Sequence, residues 1–131
     1  MDFNLTEQQK MMQKLFREVA QAEVKEFAAD VDEEERFPVE AVEVMRQAKM
    51  LGIPYPREYG GAGADYLCYI LAIEELSKQC ATSGVVLSAH TSLGTWPIAQ
   101  FGTPEQKERF LPDLCSGKRL AAFGLTEPND D

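Results

Sequence analysis

His90 is the only histidine in the chain, and the residues around it make it the first place to look for chemistry. Val86, Ala89, His90 and Leu93 recur at i, i+3, i+4 and i+7, a spacing that places them on one face of a helix. They sit inside a run from Gln79 to Pro104 that holds no Asp, Glu, Lys or Arg and is crowded with Ala, Ser, Gly and Thr. Small residues let a neighbouring backbone or a flat ligand approach closely. The face is therefore either plain core or the wall of a pocket for an apolar ligand. For His90 itself, metal binding needs companions that the sequence does not place nearby, and general-base work needs a substrate proton that no motif locates. A hydrogen-bonded interior histidine is the better reading.

Other candidate groups carry weaker chemistry. Cys68, Cys80 and Cys115 are odd in number and lack C-x-x-C spacing, so they read as buried free thiols rather than as a disulfide framework or a zinc site. The acidic run Asp30, Asp32, Glu33, Glu34 and Glu35 lacks the glycine and regular oxygen spacing of a calcium loop, and reads as a solvated helix end. Gly60, Gly61 and Gly63 lack both the preceding strand and the spacing of a phosphate-binding loop. No metal site follows from any of these groups.

The elements that must position these residues are mostly helices. Thr6-Glu7-Gln8-Gln9 has the form of a capping box, so a long amphipathic helix starts there and runs to about residue 30, with Met12, Leu15, Phe16, Val19, Ala22, Phe27 and Val31 on its apolar side. Pro38 suits the first turn of a second helix carrying Val39, Val42, Met45 and Met50 and ending near Leu51-Gly52. Residues 53–63 form an ordered, turn-rich connection, since two prolines remove donors and glycines favour unusual backbone angles. Asp65 can cap a third helix to about Lys78, with Leu67, Ile70, Leu71 and Leu76 inward and Glu74 and Glu75 on the wet side. The charge-free run is a helix buried on most sides. It is too polar to cross a membrane, with Thr82, Ser83, Ser88, Thr91, Ser92 and Thr95 in it. Thr103-Pro104-Glu105-Gln106 starts the last helix, with Phe110, Leu111 and Leu114 inward, and Gly117 closes it.

Leu120 to Leu125 is different: a short apolar run ending in a Thr-Glu-Pro turn signal, as in a buried strand. A lone strand leaves its backbone groups unpaired, so the sheet that accepts it is expected after residue 131, and the chain is expected to be a fragment.

Bulk properties bound the function. At 131 residues and 44% hydrophobic the chain suits one domain, and a formal net charge of −9 from 13 Lys and Arg against 22 Asp and Glu repels nucleic acid and anionic membrane surfaces. The N-terminus lacks signal-peptide and transit-peptide features, which makes the cytoplasm the expected compartment.

The motifs carry a resemblance. Asn4-Leu5-Thr6-Glu7-Gln8, Tyr59-Gly60-Gly61-Ala62-Gly63 and Ala72-Ile73-Glu74-Glu75-Leu76 come first. Ser92-Leu93-Gly94 with Pro97-Ile98, Gly102-Thr103-Pro104-Glu105-Gln106-Lys107, and Phe123-Gly124-Leu125-Thr126-Glu127-Pro128 follow. In this order and spacing the chain, from Phe3 to Asn129, resembles the N-terminal part of an acyl-CoA dehydrogenase, closest in wording to bacterial short-chain, butyryl-type members. The resemblance implies an all-α fold, an orthogonal bundle of about five helices with a short C-terminal β-strand stub. Residues 1–118 would be the N-terminal helical domain and 119–131 the start of a truncated middle β domain; a C-terminal helical domain would complete the protein and form a homotetramer.

It also implies a reaction. In that family FAD takes a hydride from the β carbon of an acyl-CoA while a glutamate removes the α proton, giving a trans-2-enoyl-CoA, and electrons pass to an electron-transferring flavoprotein. Phe123, Leu125 and Thr126 match positions that contact the flavin. Val86, Ala89, His90 and Leu93 match the region closing the far end of the acyl pocket, where each methylene is worth about 0.8 kcal/mol. The catalytic glutamate belongs to a part of the family's chain absent here, so this chain holds no catalytic residue and is expected to be inactive alone. The sequence departs from the family after Asn129, where Asp130 and Asp131 replace a small residue and glycine. A non-catalytic helical interaction module, or an acyl-CoA oxidase or reductase of related build, would share the same pattern.

Overall fold

The computed structural model describes residues 2–128. Among them, the helical segments are α1 (Glu7–Val19), α2 (Lys25–Glu33), α3 (Val39–Gln47), α4 (Tyr66–Ser77), α5 (Ala81–Ser88), α6 (Trp96–Phe101) and α7 (Pro104–Ser116). Wide π turns at Ala20–Val24 and Ala89–Thr95 fuse α1 to α2 and α5 to α6. Five continuous helices result, so the expected bundle is what forms. No described helix is long and apolar enough to cross a membrane.

The caps are where the sequence places them. The Thr6 hydroxyl accepts from the Gln9 N–H at 3.2 Å while Gln9 Oε1 accepts from the Thr6 N–H at 2.9 Å, the reciprocal capping box that satisfies two otherwise unpaired donors. Thr103 and Gln106 repeat it at α7, and Gly117 closes that helix at φ 78°, an angle that a Cβ would disfavour. Asp65 caps α4 by accepting from the Cys68 N–H at 2.8 Å. Its other oxygen accepts from Gln9 Nε2 at 2.8 Å, so the caps of α1 and α4 are tied side by side. That tie sets the register in which the two helices pack.

The first π turn explains which apolar residues face in. Phe16, Ala20 and Val24 are all buried, and steps of four residues over-rotate an α-helix by about 40° each. A turn with i→i+5 bonding takes up the excess and keeps the line straight. Leu15 and Ala22, expected inward, are exposed: each lies off the line of Phe16, Ala20 and Val24. The core joins Phe16 and Val24 to Met45, Leu51, Ile53, Leu76 and Leu87, with α4 packed against both α1 and α5. Val39, Leu67 and Ile70 also lie outside it.

Glu75 departs most from its expectation. It is 1% exposed, not on the wet side of α4. Arg17 Nε and Nη2 reach it from α1 at 3.2 and 3.0 Å, and Lys78 Nζ lies at 3.0 Å. One turn of helix cannot reveal such a partner, because Arg17 comes from a different helix. The strand expected over Leu120–Leu125 is likewise not formed among the described residues, since a ladder needs a second strand to bond with. The expected departure at Asn129, Asp130 and Asp131 lies outside the described residues.

Candidate functional site

The charge-free run becomes α5, a π turn and α6, and its hydroxyls serve the widened turn. Ser92 Oγ donates to the Ser88 carbonyl at 2.7 Å, where Tyr69 Oη also donates at 3.2 Å. Thr95 Oγ1 donates to the His90 carbonyl at 2.7 Å, and the Tyr55 hydroxyl donates to the Thr91 carbonyl. Carbonyls that a π turn pulls away from their usual α-helical donors are thereby satisfied. Ser92 and Thr95 are thus structural hydrogen-bond donors, not only small residues.

The same turn shifts the face predicted from helical spacing. Val86, Ala89 and His90 line a cavity of about 220 Å³ together with Phe37, Leu120, Ala121 and Ala122. Leu93 is 53% exposed and outside that lining. In its place Gly94 is buried against the chain leaving α7: a Cβ there would overlap Ala121. An extra residue per turn moves the i+7 position off the face and brings i+8 onto it. The cavity walls are apolar apart from His90.

His90 is 1% exposed and fully bonded. Its Nε2 lies 3.1 Å from the Leu114 carbonyl, a partner that can only accept, and its Nδ1 accepts the Ala121 N–H at 3.0 Å. These partners select the neutral tautomer with the proton on Nε2. Burial holds its pKa below the ordinary histidine value, since charge is poorly solvated there. It is the hydrogen-bonded interior histidine of the sequence reading, with no lone pair to spare for a metal or a substrate proton. No cluster of His, Cys, Asp or Glu suited to a metal occurs among the described residues. Cys68 and Cys115 are buried and pushed up to about 11 by that burial, which keeps them as inert thiols.

From the cavity wall the chain runs directly into Phe123, Leu125 and Thr126. Phe123 is 53% and Leu125 68% exposed, and Thr126 is exposed as well. Among the described residues the backbone N–H groups of 122–126 make no hydrogen bond, and a Cβ on Gly124 would meet nothing within 4 Å. Exposed apolar side chains, a hydroxyl and open N–H donors thus stand beside an apolar cavity. The contribution of Phe37, Leu120, Ala121 and Ala122 to that cavity was not visible in the helical periodicity, because all four lie outside helices.

The family described as "Acyl-CoA dehydrogenase, N-terminal domain" matches residues 6–118. The chain belongs to the acyl-CoA dehydrogenase family. It is 56% identical over 129 residues to the short-chain specific acyl-CoA dehydrogenase of Clostridium acetobutylicum, covering 98% of this chain and 34% of that relative. The structure of butyryl-CoA dehydrogenase from Megasphaera elsdenii superposes on all of this chain with a TM-score of 0.92 at 40% identity, over 35% of its own length. A chain from the structural study of the electron transferring flavoprotein of Acidaminococcus fermentans gives a TM-score of 0.93 at 43% identity, covering 98% of this chain and 34% of its own. The chain therefore spans about a third of the length of the family members it matches.

Proposed function

We propose that residues 1–118 are the N-terminal helical domain, and 119–131 the start of the middle β domain, of an FAD-dependent acyl-CoA dehydrogenase. The protein oxidises a short-chain acyl-CoA to a trans-2-enoyl-CoA and hands the electrons to an electron-transferring flavoprotein. The observation that carries this reading is the family match over residues 6–118, joined to an apolar cavity from which the Phe123–Thr126 segment emerges. The full-length protein is proposed to be a cytoplasmic homo-oligomer. Its partners are the acyl-CoA, the electron-transferring flavoprotein and further copies of itself.

The residues present fit the flavin. Phe123 and Leu125 offer apolar surface to a flat ring, while Thr126 and the unbonded N–H groups of 122–126 offer donors to its polar edge. FAD supplies the acceptor for the hydride leaving the β carbon. The chain's own residues hold and enclose. Val86 and Ala89, half-buried in the cavity wall, face the acyl end and exclude water from it, while Leu93, turned outward off that wall, is not assigned a substrate contact. His90 closes the wall with its ring, and both of its ring nitrogens are held by backbone partners. Glu75, held as a carboxylate by Arg17 and Lys78 away from the cavity lining, is not the base, and no described residue is assigned that step.

Purification of the full-length protein tests the reading. It is expected to be yellow, to carry stoichiometric FAD, and to reduce electron-transferring flavoprotein with butyryl-CoA while forming the trans-2-enoyl product. Residues 1–131 alone are expected to bind no FAD. A colourless full-length protein indifferent to acyl-CoA would make the chain a helical interaction module. Turnover with oxygen in place of the flavoprotein, or only in the reducing direction, would make it an oxidase or reductase of related build.

A further inference from the structure

We infer that His90 is a positioning residue: its Nδ1, by accepting the Ala121 N–H, anchors the start of the segment carrying Phe123, Leu125 and Thr126. The inference rests on the proposed function for its consequence, but its geometry stands apart from it. The chain leaves α7 at Gly117 and is bonded back to that helix by the Lys118 N–H to Ser116 Oγ at 3.4 Å and the Arg119 N–H to the Asp113 carbonyl at 3.1 Å. The next backbone bond is the one to His90, at 3.0 Å. Beyond it, residues 122–126 make none among the described residues.

The His90 bond is thus the last fixed point before the open segment. Phe123 lies two residues on and Thr126 five, so extended backbone places them within about 7 Å and about 18 Å of the anchor. A displacement at Ala121 moves them all.

Two further features make this a built contact. Leu114, on the far side of the ring, holds Nε2 at 3.1 Å, which fixes both ring orientation and tautomer, as a partner on one nitrogen does for the other. Gly94 lies under Ala121 with no room for a Cβ, so the chain seats directly on the π turn. A histidine that merely filled the core would need neither its Nδ1 lone pair aimed at a backbone N–H of another segment nor a glycine beside it.

Hydrogen exchange read by mass spectrometry on the full chain tests the anchor without any flavin. In the wild type the Ala121 amide is expected to exchange about tenfold more slowly than the amides of 123–126, the protection one buried hydrogen bond confers. His90→Asn, which keeps an acceptor near the Nδ1 position, should retain that protection. His90→Phe keeps the ring and loses the acceptor, so Ala121 should exchange about five- to tenfold faster, with peptides of α4 unchanged. An unprotected Ala121 in the wild type, or one still protected in His90→Phe, overturns the inference.

Imidazole ¹⁵N shifts give a readout that needs no variant to fold. A neutral ring protonated on Nε2 at pH 7 is expected, and a ring protonated on Nδ1 overturns the inference. In the flavin-loaded full-length protein, His90→Phe should retain FAD about tenfold less tightly than His90→Asn, the effect of one lost bond. Equal retention by the two overturns the positioning role. A full-length protein that binds no FAD yet protects Ala121 overturns the proposed function and upholds the anchor.

Discussion

His90 and Glu75 are buried titratable residues whose pKa values move for opposite reasons. Burial pushes His90 below its ordinary value of 6.5, because the fold favours the neutral ring. Between that value and the folded one, the unfolded chain binds the proton more readily, so stability falls as pH drops below about 6.5. Glu75 is lowered from 4.5 first by hydrogen bonding from Arg17 and also by Lys78, because the fold favours the charge. Its contribution is full above about 4.5 and disappears as pH falls through the lower folded value. Thermal melts from pH 8 to 3 should therefore show two successive losses of stability. His90→Asn should remove the upper one, and Arg17→Ala should lower the melting temperature at pH 7 and flatten the lower one. A variant profile parallel to the wild type would contradict the assignment.

Among the elements, the π turn at Ala89–Thr95 has the widest consequences. It turns Gly94 rather than Leu93 toward the chain leaving α7; its own carbonyls take hydroxyls from Tyr55 and Thr95, and the Ser88 carbonyl just before it takes those of Tyr69 and Ser92. Gly94→Ala sets a Cβ against Ala121, partly backbone, and is expected to cost about 1–3 kcal/mol by overpacking, with faster exchange at residue 121. Gly84→Ala meets mainly the Ser77 side chain, which can rotate away, and should cost less. Urea titrations of the two variants compare them directly. The caps show how much of an element is legible locally: Thr6, Asp65 and Thr103 each act within three residues, so residue type and spacing suffice. Register within the fused helices was not legible, because a π turn is chosen by what packs against it.

Across the molecule, two apolar clusters, the larger around Met45, Leu51 and Leu87 and a smaller one of Tyr55, Leu111 and Cys115, hold the helices in the arrangement that puts the cavity beside residues 120–126. Leu87 is fully buried on α5, among Met45, Leu51, Ile53 and Leu76 of the same core, and faces away from the cavity lining. Leu87→Ala is expected to cost about 2–5 kcal/mol, measured by urea unfolding. The helical fold, the helix starts, the buried thiols and the family resemblance all follow from residue types at short spacings, because capping, periodicity and turn chemistry act within a few residues. Tertiary structure decided the rest. Glu75 is buried because Arg17 arrives from another helix. Leu93 leaves the cavity because a packed helix widened by one residue. His90 is neutral and bonded on both nitrogens because Leu114 and Ala121 reach it from 24 and 31 residues away. Pairings between residues so far apart in the chain leave no period or motif, since only the packed fold brings them together.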